Sequence, residues 1–469
     1  MVQQNHYANS TADAAAKSIN AGVDLNTGFV WTDGGVGGGM RAALARGWVT
    51  QATLDTALRR GLRQRFQVGL FDPLAQQPYT AIPLGAINAT AHADANLDAA
   101  LQALVLLKND DGALPLAPGA RLAVVGPHAT SHNLFSDYAG DLQCWNDPLR
   151  TRYCIPTIGD WLARANAGGT TTVQAGVSIS SSNDTGVPAA LAAVAAADVV
   201  VLCLGIDTTI EHEGVDRSSV ALPGLQDQFA AQVLAAAGER RVVLVLVNGG
   251  MVAVDAIAPR AAAVVEAFYP AARGAEALAR ALFGEHNRWG KLPVTIYRAA
   301  YMASISLMDM NMTSYPGRTY RYMHNDTMAL FPFGFGLSYT TFSLACAAAI
   351  DTGAAFNVMC TLRNTGAMDG DEVVLAYHQP GAAVRAIAEK LHPVPKRRLV
   401  AFERAHVAAA AGKLIAAINN SVTLTFSIAK ADLQLTTADG SRRTYPGLHY
   451  LVFSRGHGTN VTLPVTLAT

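Results

Sequence analysis

Between Thr209 and Gly224 the chain reads TIEHEGVDRSSVALPG, which sets two carboxylates, Glu211 and Glu213, on either side of His212. The run before it, DVVVLCLGI, is apolar and strand-like, so these acids leave the end of a buried strand. A carboxyl group at such an edge is partly desolvated, which raises its pKa toward the range a proton donor needs. Proton donation to a departing group is therefore the chemistry this loop suggests. Two plainer readings compete with it. Carboxylate and imidazole bind divalent ions, but neighbours one residue apart rarely converge on one ion and no second His/Asp cluster is near, so no metal is expected. A solvated acidic loop is the other.

Two glycine-rich stretches invite a nucleotide reading. DGGVGGGM, residues 33–40, lacks the Lys-Ser/Thr pair of a phosphate loop and follows no nucleotide-fold strand, so it reads as a flexible turn. VLVNGG ends a good strand at Asn248-Gly249-Gly250 without full dinucleotide spacing, and close backbone packing accounts for it. No cofactor is implied. GRTYRYM and FPFGFGLSYTTF, residues 317–323 and 331–342, are dense in rings and glycine; a linker pinned by aromatic anchors is favoured over a sugar platform.

These residues need elements to position them. From Ser10 to Phe71 the pattern is helical, with one short apolar stretch, VDL, read as its only short strand, and Leu54, Leu58, Leu62 and Phe66 recur every four residues as one stripe. Residues 74–118 read as a connector carrying one helix, DANLDAALQALVLLKNDDG. Between Arg121 and Tyr297, runs such as RLAVVGP, DVVVLCLGI and RRVVLVLVNGG alternate with helical segments. Continuous Val/Leu runs belong to strands covered on both faces, so a mostly parallel sheet between helix layers is expected. Its binding crevice lies at the carboxyl ends of the strands, where the Glu211–Glu213 loop emerges. From about Ala345 the pattern changes to strict alternation, as at Phe356, Val358, Cys360 and Leu362, which predicts a β-sandwich over 350–469.

Composition narrows the partners. A chain of 469 residues has room for about three domains. The 35 basic residues balance 35 acidic ones, without a basic stripe, so nucleic acid is not an expected partner. No apolar run is long enough to span a membrane. Asn9, Asn88, Asn183, Asn311, Asn325, Asn419 and Asn460 each open an N-x-[ST] triplet, which points to a secreted glycoprotein, although the first residues carry no signal-peptide pattern. Of the five cysteines, Cys144 and Cys154 bracket a loop and could pair, while Cys203 and Cys360 read as small core residues.

Taken jointly, several stretches resemble glycoside hydrolase family 3, most closely its β-xylosidase branch. NHYANSTADAAAKSINAGVDLN is similar to the segment closing that family's N-terminal barrel, LVLLKNDDGALPL to the opening of its α/β sandwich domain, and GIDTTIEHEGVDRSSVALPG to its acid/base loop. GKLPVTIY resembles the end of that domain, and GRTYRY, PFGFGLSYTTF and RNTGAMDGDEVVLAYHQP resemble the passage into a fibronectin-type-III-like domain. The resemblance implies an α/β fold in five parts: residues 1–72 as the C-terminal remnant of a (β/α)8 barrel, 73–118 as linker, 119–297 as the α/β sandwich, 298–345 as a bridge and 346–469 as a fibronectin-type-III-like sandwich.

It further implies retaining hydrolysis of terminal β-linked xylose, or a related sugar, from oligosaccharides or aryl glycosides. The family's acid/base Glu stands four residues before the Arg of a DR pair, which here selects Glu213 before Asp216 and Arg217, with Glu211 in reserve. The family's nucleophilic Asp lies upstream of the NHY segment, so the resemblance implies a chain lacking most of the barrel and its nucleophile; Asp33, in FVWTDGG, only imitates a nucleophile strand. Apolar faces left uncovered in residues 1–72 would make that region protease-sensitive. The rival readings are a non-catalytic carbohydrate-binding or scaffolding protein and a nucleotide-binding α/β sheet.

Overall fold

The computed structural model describes residues 6–32, 37–87, 89–139, 154–306, 309–409 and 420–468. The chain divides into two units, residues 1–89 and 90–469.

In the first unit, helices α1 (Thr11–Asn20), α2 (Met40–Ala45) and α3 (Gln51–Gln67) enclose a small core of Ala12, Ala16, Ile19, Ala43, Val49 and Ala57. Ser10 caps α1 by accepting from the Asp13 amide at 3.1 Å, and Thr50 caps α3 likewise from Thr53. The expected stripe lies on α3, but it is largely uncovered: Leu58 is 58% and Phe66 65% exposed. The VDL stretch is not a strand, and among the described residues of this unit there is none. A lone extended segment has no ladder to satisfy its backbone groups.

In the second unit, six strands form one sheet in the order β1-β6-β5-β4-β2-β3: β1 (Val105–Asn109), β2 (Arg121–Val125), β3 (Thr170–Gln174), β4 (Val199–Gly205), β5 (Arg241–Val247) and β6 (Ala263–Glu266). All pairings are parallel except β1 with β6. The helix expected to run through Leu104–Lys108 stops instead, as α4 (Thr90–Ala103), and the apolar residues after it supply the antiparallel edge strand. Part of the expected connector thus belongs to the sheet.

The Val/Leu runs bury both faces. Val201 and Cys203 of β4, with Val243 and Val245 of β5, pack toward α4, α5 (Ile158–Ala165) and α8 (Gly274–Leu282) through Leu101, Leu162 and Leu278. The alternate residues, Leu202, Leu204, Leu244 and Leu246, pack toward α6 (Val187–Ala196) and α7 (Gln226–Ala237) through Val194, Phe229 and Val233. The result is a helix-sheet-helix sandwich whose chain order reverses between β2 and β4: after β2 the chain adds β3 on one side, then returns to place β4 on the other.

A two-stranded ribbon, β7 (Ile296–Tyr297) with β8 (Ala329–Phe331), leads into a β-sandwich. One sheet holds β9 (Phe342–Cys346), β10 (Ile350–Asp351), β11 (Ala355–Asn364) and β14 (Ser421–Ala429); the other holds β12 (Gly370–Pro380), β13 (Arg398–Val407), β17 (Gly447–Ser454) and β18 (Val461–Leu467), with a small ribbon of β15 (Leu435–Thr436) and β16 (Arg442–Arg443). The predicted alternation is met: Phe356, Val358, Cys360 and Leu362 face Val374, Leu451 and Phe453 in the shared core. Tyr320 and Phe333 stack at 4.2 Å and set their edges on Tyr377 of β12, so the aromatic-rich bridge is an anchor onto the sandwich. Cys360 is not a lone core thiol: it faces Cys346 across the β9–β11 ladder and forms a disulfide with it. Cys203 is free and buried; Cys154 is disulfide-bonded, and Cys144, its expected partner, lies outside the described residues.

Candidate active site

Strand β4 ends at Gly205, and the loop that follows opens with an Asx turn in which Asp207 Oδ1 accepts from the Thr209 amide at 2.9 Å. His212 and Val215 then exchange backbone bonds, the His212 N–H donating to Val215 O at 3.3 Å and the Val215 N–H to His212 O at 3.0 Å. This closes a tight turn whose two tip residues are Glu213 and Gly214, and Gly214 takes the left-handed conformation (φ 82°) that the turn needs. Glu213 is thereby carried at an exposed tip.

The two candidate acids are placed differently. Glu211 is turned inward: its carboxylate accepts from Arg217 Nε at 2.7 Å and from the Gly250 amide at 2.5 Å, and Arg217 also donates to Met251 O at 3.0 Å. The NGG turn after β5 is the seat for this carboxylate. A Cβ on Gly249 would lie 2.6 Å from the Tyr269 ring and 2.9 Å from Glu211, and one on Gly250 2.5 Å from Arg217. The Tyr269 phenol is pushed up to about 12, first by burial and then by the Glu211 charge. Glu211 is a structural anchor for the root of the loop.

Glu213 is held from the other side of the reversal point. Asp137 and Tyr138 lie on the segment that follows β2; the Asp137 carboxylate accepts from the Glu213 backbone N–H, and the Tyr138 hydroxyl donates to Glu213 Oε2. That hydrogen bond is the main cause that holds the Tyr138 phenol above its ordinary pKa. In an open parallel sheet, ligands bind outside the carboxyl ends of the strands where chain order reverses. Here that place lies between β2 and β4, and the loops from these two strands meet at Glu213. Sequence patterning missed Asp137 and Tyr138; the signal was their position after a strand whose neighbour could not be known.

Further buried polar groups border the same sheet edge. Burial pushes Glu266, at the end of β6, up to about 8, against the opposing pull of the Phe268 amide and the Asn248 side chain. His128, just after β2, is pushed down to about 4 by burial. Among the described residues no three His, Cys, Asp or Glu side chains gather as a metal site. Asp33 lies outside the described residues, as do the glycosylation candidates Asn88 and Asn419. Asn9, Asn183, Asn311, Asn325 and Asn460 are all exposed.

Residues 104–339 match the model of the glycosyl hydrolase family 3 C-terminal domain. The chain belongs to glycosyl hydrolase family 3. Among its relatives in the family is β-D-xylosidase 1 of Arabidopsis thaliana, 32% identical in an alignment that covers 88% of this chain and 55% of the relative. Exo-1,4-β-xylosidase bxlB of Emericella nidulans is 32% identical, covering 96% of this chain and 57% of its own length. This family 3 chain thus spans a little over half the length of these relatives. A solved GH3 exo-β-xylosidase in complex with a xylobiose aziridine activity-based probe matches with a TM-score of 0.76 at 26% identity, covering 100% of this chain and 59% of that one. A Listeria innocua β-glucosidase in complex with isofagomine matches with a TM-score of 0.72 over 98% of this chain and 61% of that one; at 23% identity it speaks to the fold alone.

Proposed function

We propose that this chain carries the acid/base side of a retaining β-glycosidase that removes terminal β-linked xylose, or a related sugar, from oligosaccharides. The observation that carries the reading is the Glu213 carboxyl group, exposed at the tip of a tight turn at the reversal point of the sheet and hydrogen-bonded by Tyr138. Retention uses two carboxyl groups roughly 5–5.5 Å apart. In the first step Glu213 gives its proton to the glycosidic oxygen as the C–O bond breaks and a second carboxylate bonds to the anomeric carbon. In the next, Glu213 takes a proton from water as the water oxygen displaces that carboxylate. Because Oε2 accepts from Tyr138, the other oxygen is left to hold the transferable proton. Glu211, engaged by Arg217 and Gly250, is poorly suited to that role.

The nucleophile is assigned to residues outside this sequence, on a barrel of which residues 1–72 are the C-terminal part, with the linker ending before β1 rather than at 118. The catalytic α/β sandwich then runs from β1 to residue 297, with 298–345 as the bridge and 346–469 as a fibronectin-type-III-like domain. The share of the relatives' length that the chain spans supports this division, as does the exposed apolar surface of α3. The Cys346–Cys360 disulfide and the five exposed sequon asparagines support a secreted glycoprotein. No helix among the described residues is long and apolar enough to cross a membrane. The test is an aryl-β-xyloside assay on this chain and on one joined to an upstream barrel. Turnover should appear only in the second; robust turnover by this chain alone would overturn the assignment of the nucleophile elsewhere.

A further inference from the structure

A cavity that shares no residue with the Glu213 loop lies where the bridge meets the sandwich. Its volume is about 360 Å³, within the range of small-ligand sites. Arg321, Tyr322 and His324 of the bridge form one side, and Arg385, His392 and Lys396 of the segment around the helix Ala382–Ala388 form the other.

Most of these groups already have partners. Arg385 donates to Glu389, the acidic residue of the lining, at 2.8 Å, and to the Pro395 carbonyl at 2.6 Å. Lys396 donates to Asp326 at 2.8 Å, and His392 bonds the Tyr445 hydroxyl at 2.8 Å. Arg321 differs. Its guanidinium makes no hydrogen bond or ion pair with any described residue, its Nε is shielded from solvent, and its one marked contact is with the Tyr322 ring, 5.5 Å away. Behind the wall, outside the lining itself, Arg398 adds positive charge: its guanidinium is held below the ordinary arginine range by burial and then by the charges of Arg442 and Arg321, against the opposing pull of Asp432. An unpaired guanidinium at a cavity wall with further positive charge nearby loses hydration without gaining a counter-charge, and an anion seated against it relieves that cost. A planar guanidinium suits a carboxylate in particular, which it grips with two parallel hydrogen bonds.

We propose that this cavity is a binding subsite for a sugar carboxylate, a uronic acid unit of monosaccharide size, with Arg321 gripping the carboxylate. The volume exceeds what a bare inorganic oxyanion fills, and the Tyr322 ring with the hydroxyl of Thr313, also in the lining, offers the apolar and polar contacts a sugar ring takes. The site stands on its own charges and would survive failure of the glycosidase reading, since Glu213 plays no part in it.

Calorimetric titration of the full chain with glucuronate, glucose and inorganic phosphate tests this. Glucuronate should bind saturably, glucose at least about tenfold more weakly, and added NaCl should weaken the glucuronate affinity. Arg321→Gln should weaken it about tenfold and Arg321→Lys less, both with an unchanged melting temperature. Equal binding of glucose and glucuronate, or no saturable glucuronate binding, overturns the proposal without recourse to variants. So does Arg321→Gln binding as tightly as the parent chain. Saturable phosphate binding without glucuronate binding overturns the sugar assignment in favour of an inorganic-anion site.

Discussion

Arg217→Met tests whether the Glu211–Arg217 pair holds the Glu213 loop in place. The substitution keeps most of the apolar stem but removes two donated bonds, one to Glu211 at 2.7 Å and one to Met251 O at 3.0 Å, leaving the Gly250 amide as donor to the Glu211 carboxylate. Bonds to charged groups contribute about 1.5–3 kcal/mol each, so complete burial would make the loss about 3–6 kcal/mol. The side chains of Arg217 and Glu211 are 13% and 23% exposed, so water replaces part of what is lost and about 2–4 kcal/mol is expected. An exposed pair such as Arg60–Asp24, whose Arg side chain is 56% exposed, should by contrast be worth about 0–1 kcal/mol. The measurement is urea unfolding followed by alkylation of Cys203, whose thiol is buried in β4 and labels when the α/β sheet opens. Glu211→Gln and the double variant complete a cycle, and a coupling of at least about 1 kcal/mol is expected. A loss below about 0.5 kcal/mol in Arg217→Met, or zero coupling, would refute the view that this pair secures the loop.

Three further outcomes follow from the structure. In a chain joined to a family 3 barrel, Glu213→Gln should lower kcat on xylobiose by about 10²–10⁴-fold and much less on a nitrophenyl xyloside, whose leaving group needs no proton; Glu211→Gln should show no such leaving-group dependence. Glu266 binds its proton up to about pH 8 in the fold but ionises near 4.5 when unfolded, so the folded chain holds the extra proton between those values and stability falls as pH rises, by up to about 1.4 kcal/mol per pH unit. Glu266→Gln should flatten the decline, as read from urea midpoints between pH 5 and 8. Limited proteolysis should cut residues 1–72 before the rest, because Phe29 is 86% and Phe66 65% exposed in a unit whose core is mostly alanine; uniform resistance would count against this.

Where burial is two-sided or strictly alternating, pattern and structure agree. Val199–Gly205 and Arg241–Val247 are continuous apolar runs because helices cover both faces, and residues 356–362 alternate because one face meets the opposite sheet. The pattern misled at Leu104–Lys108, where a short apolar run after a helix looks the same as its continuation; only the exposed edge of β6 makes it a strand. The Cys346–Cys360 pair depends on the register of β9 against β11, which separates residues fourteen apart in sequence from ones directly opposite in space. Register is set by long-range pairing and leaves no local trace.

The candidate site shows the same division. Glu211 and Glu213 are two residues apart and the same residue type, yet the turn closed by His212 and Val215 sends one carboxylate inward and the other outward. The inward one needs Gly249 and Gly250, which lie on a different strand's exit, and the outward one needs Asp137 and Tyr138, which lie on a third. An acid with both oxygens already engaged, one by a guanidinium and one by an amide, is suited to holding the loop in place. An acid at an exposed tip, fixed by one phenol and one backbone bond, keeps an oxygen available for a proton that comes and goes. The two roles therefore arise from three strands ending at one edge of the sheet, and changing the partners at that edge should alter either role without touching the glutamates themselves.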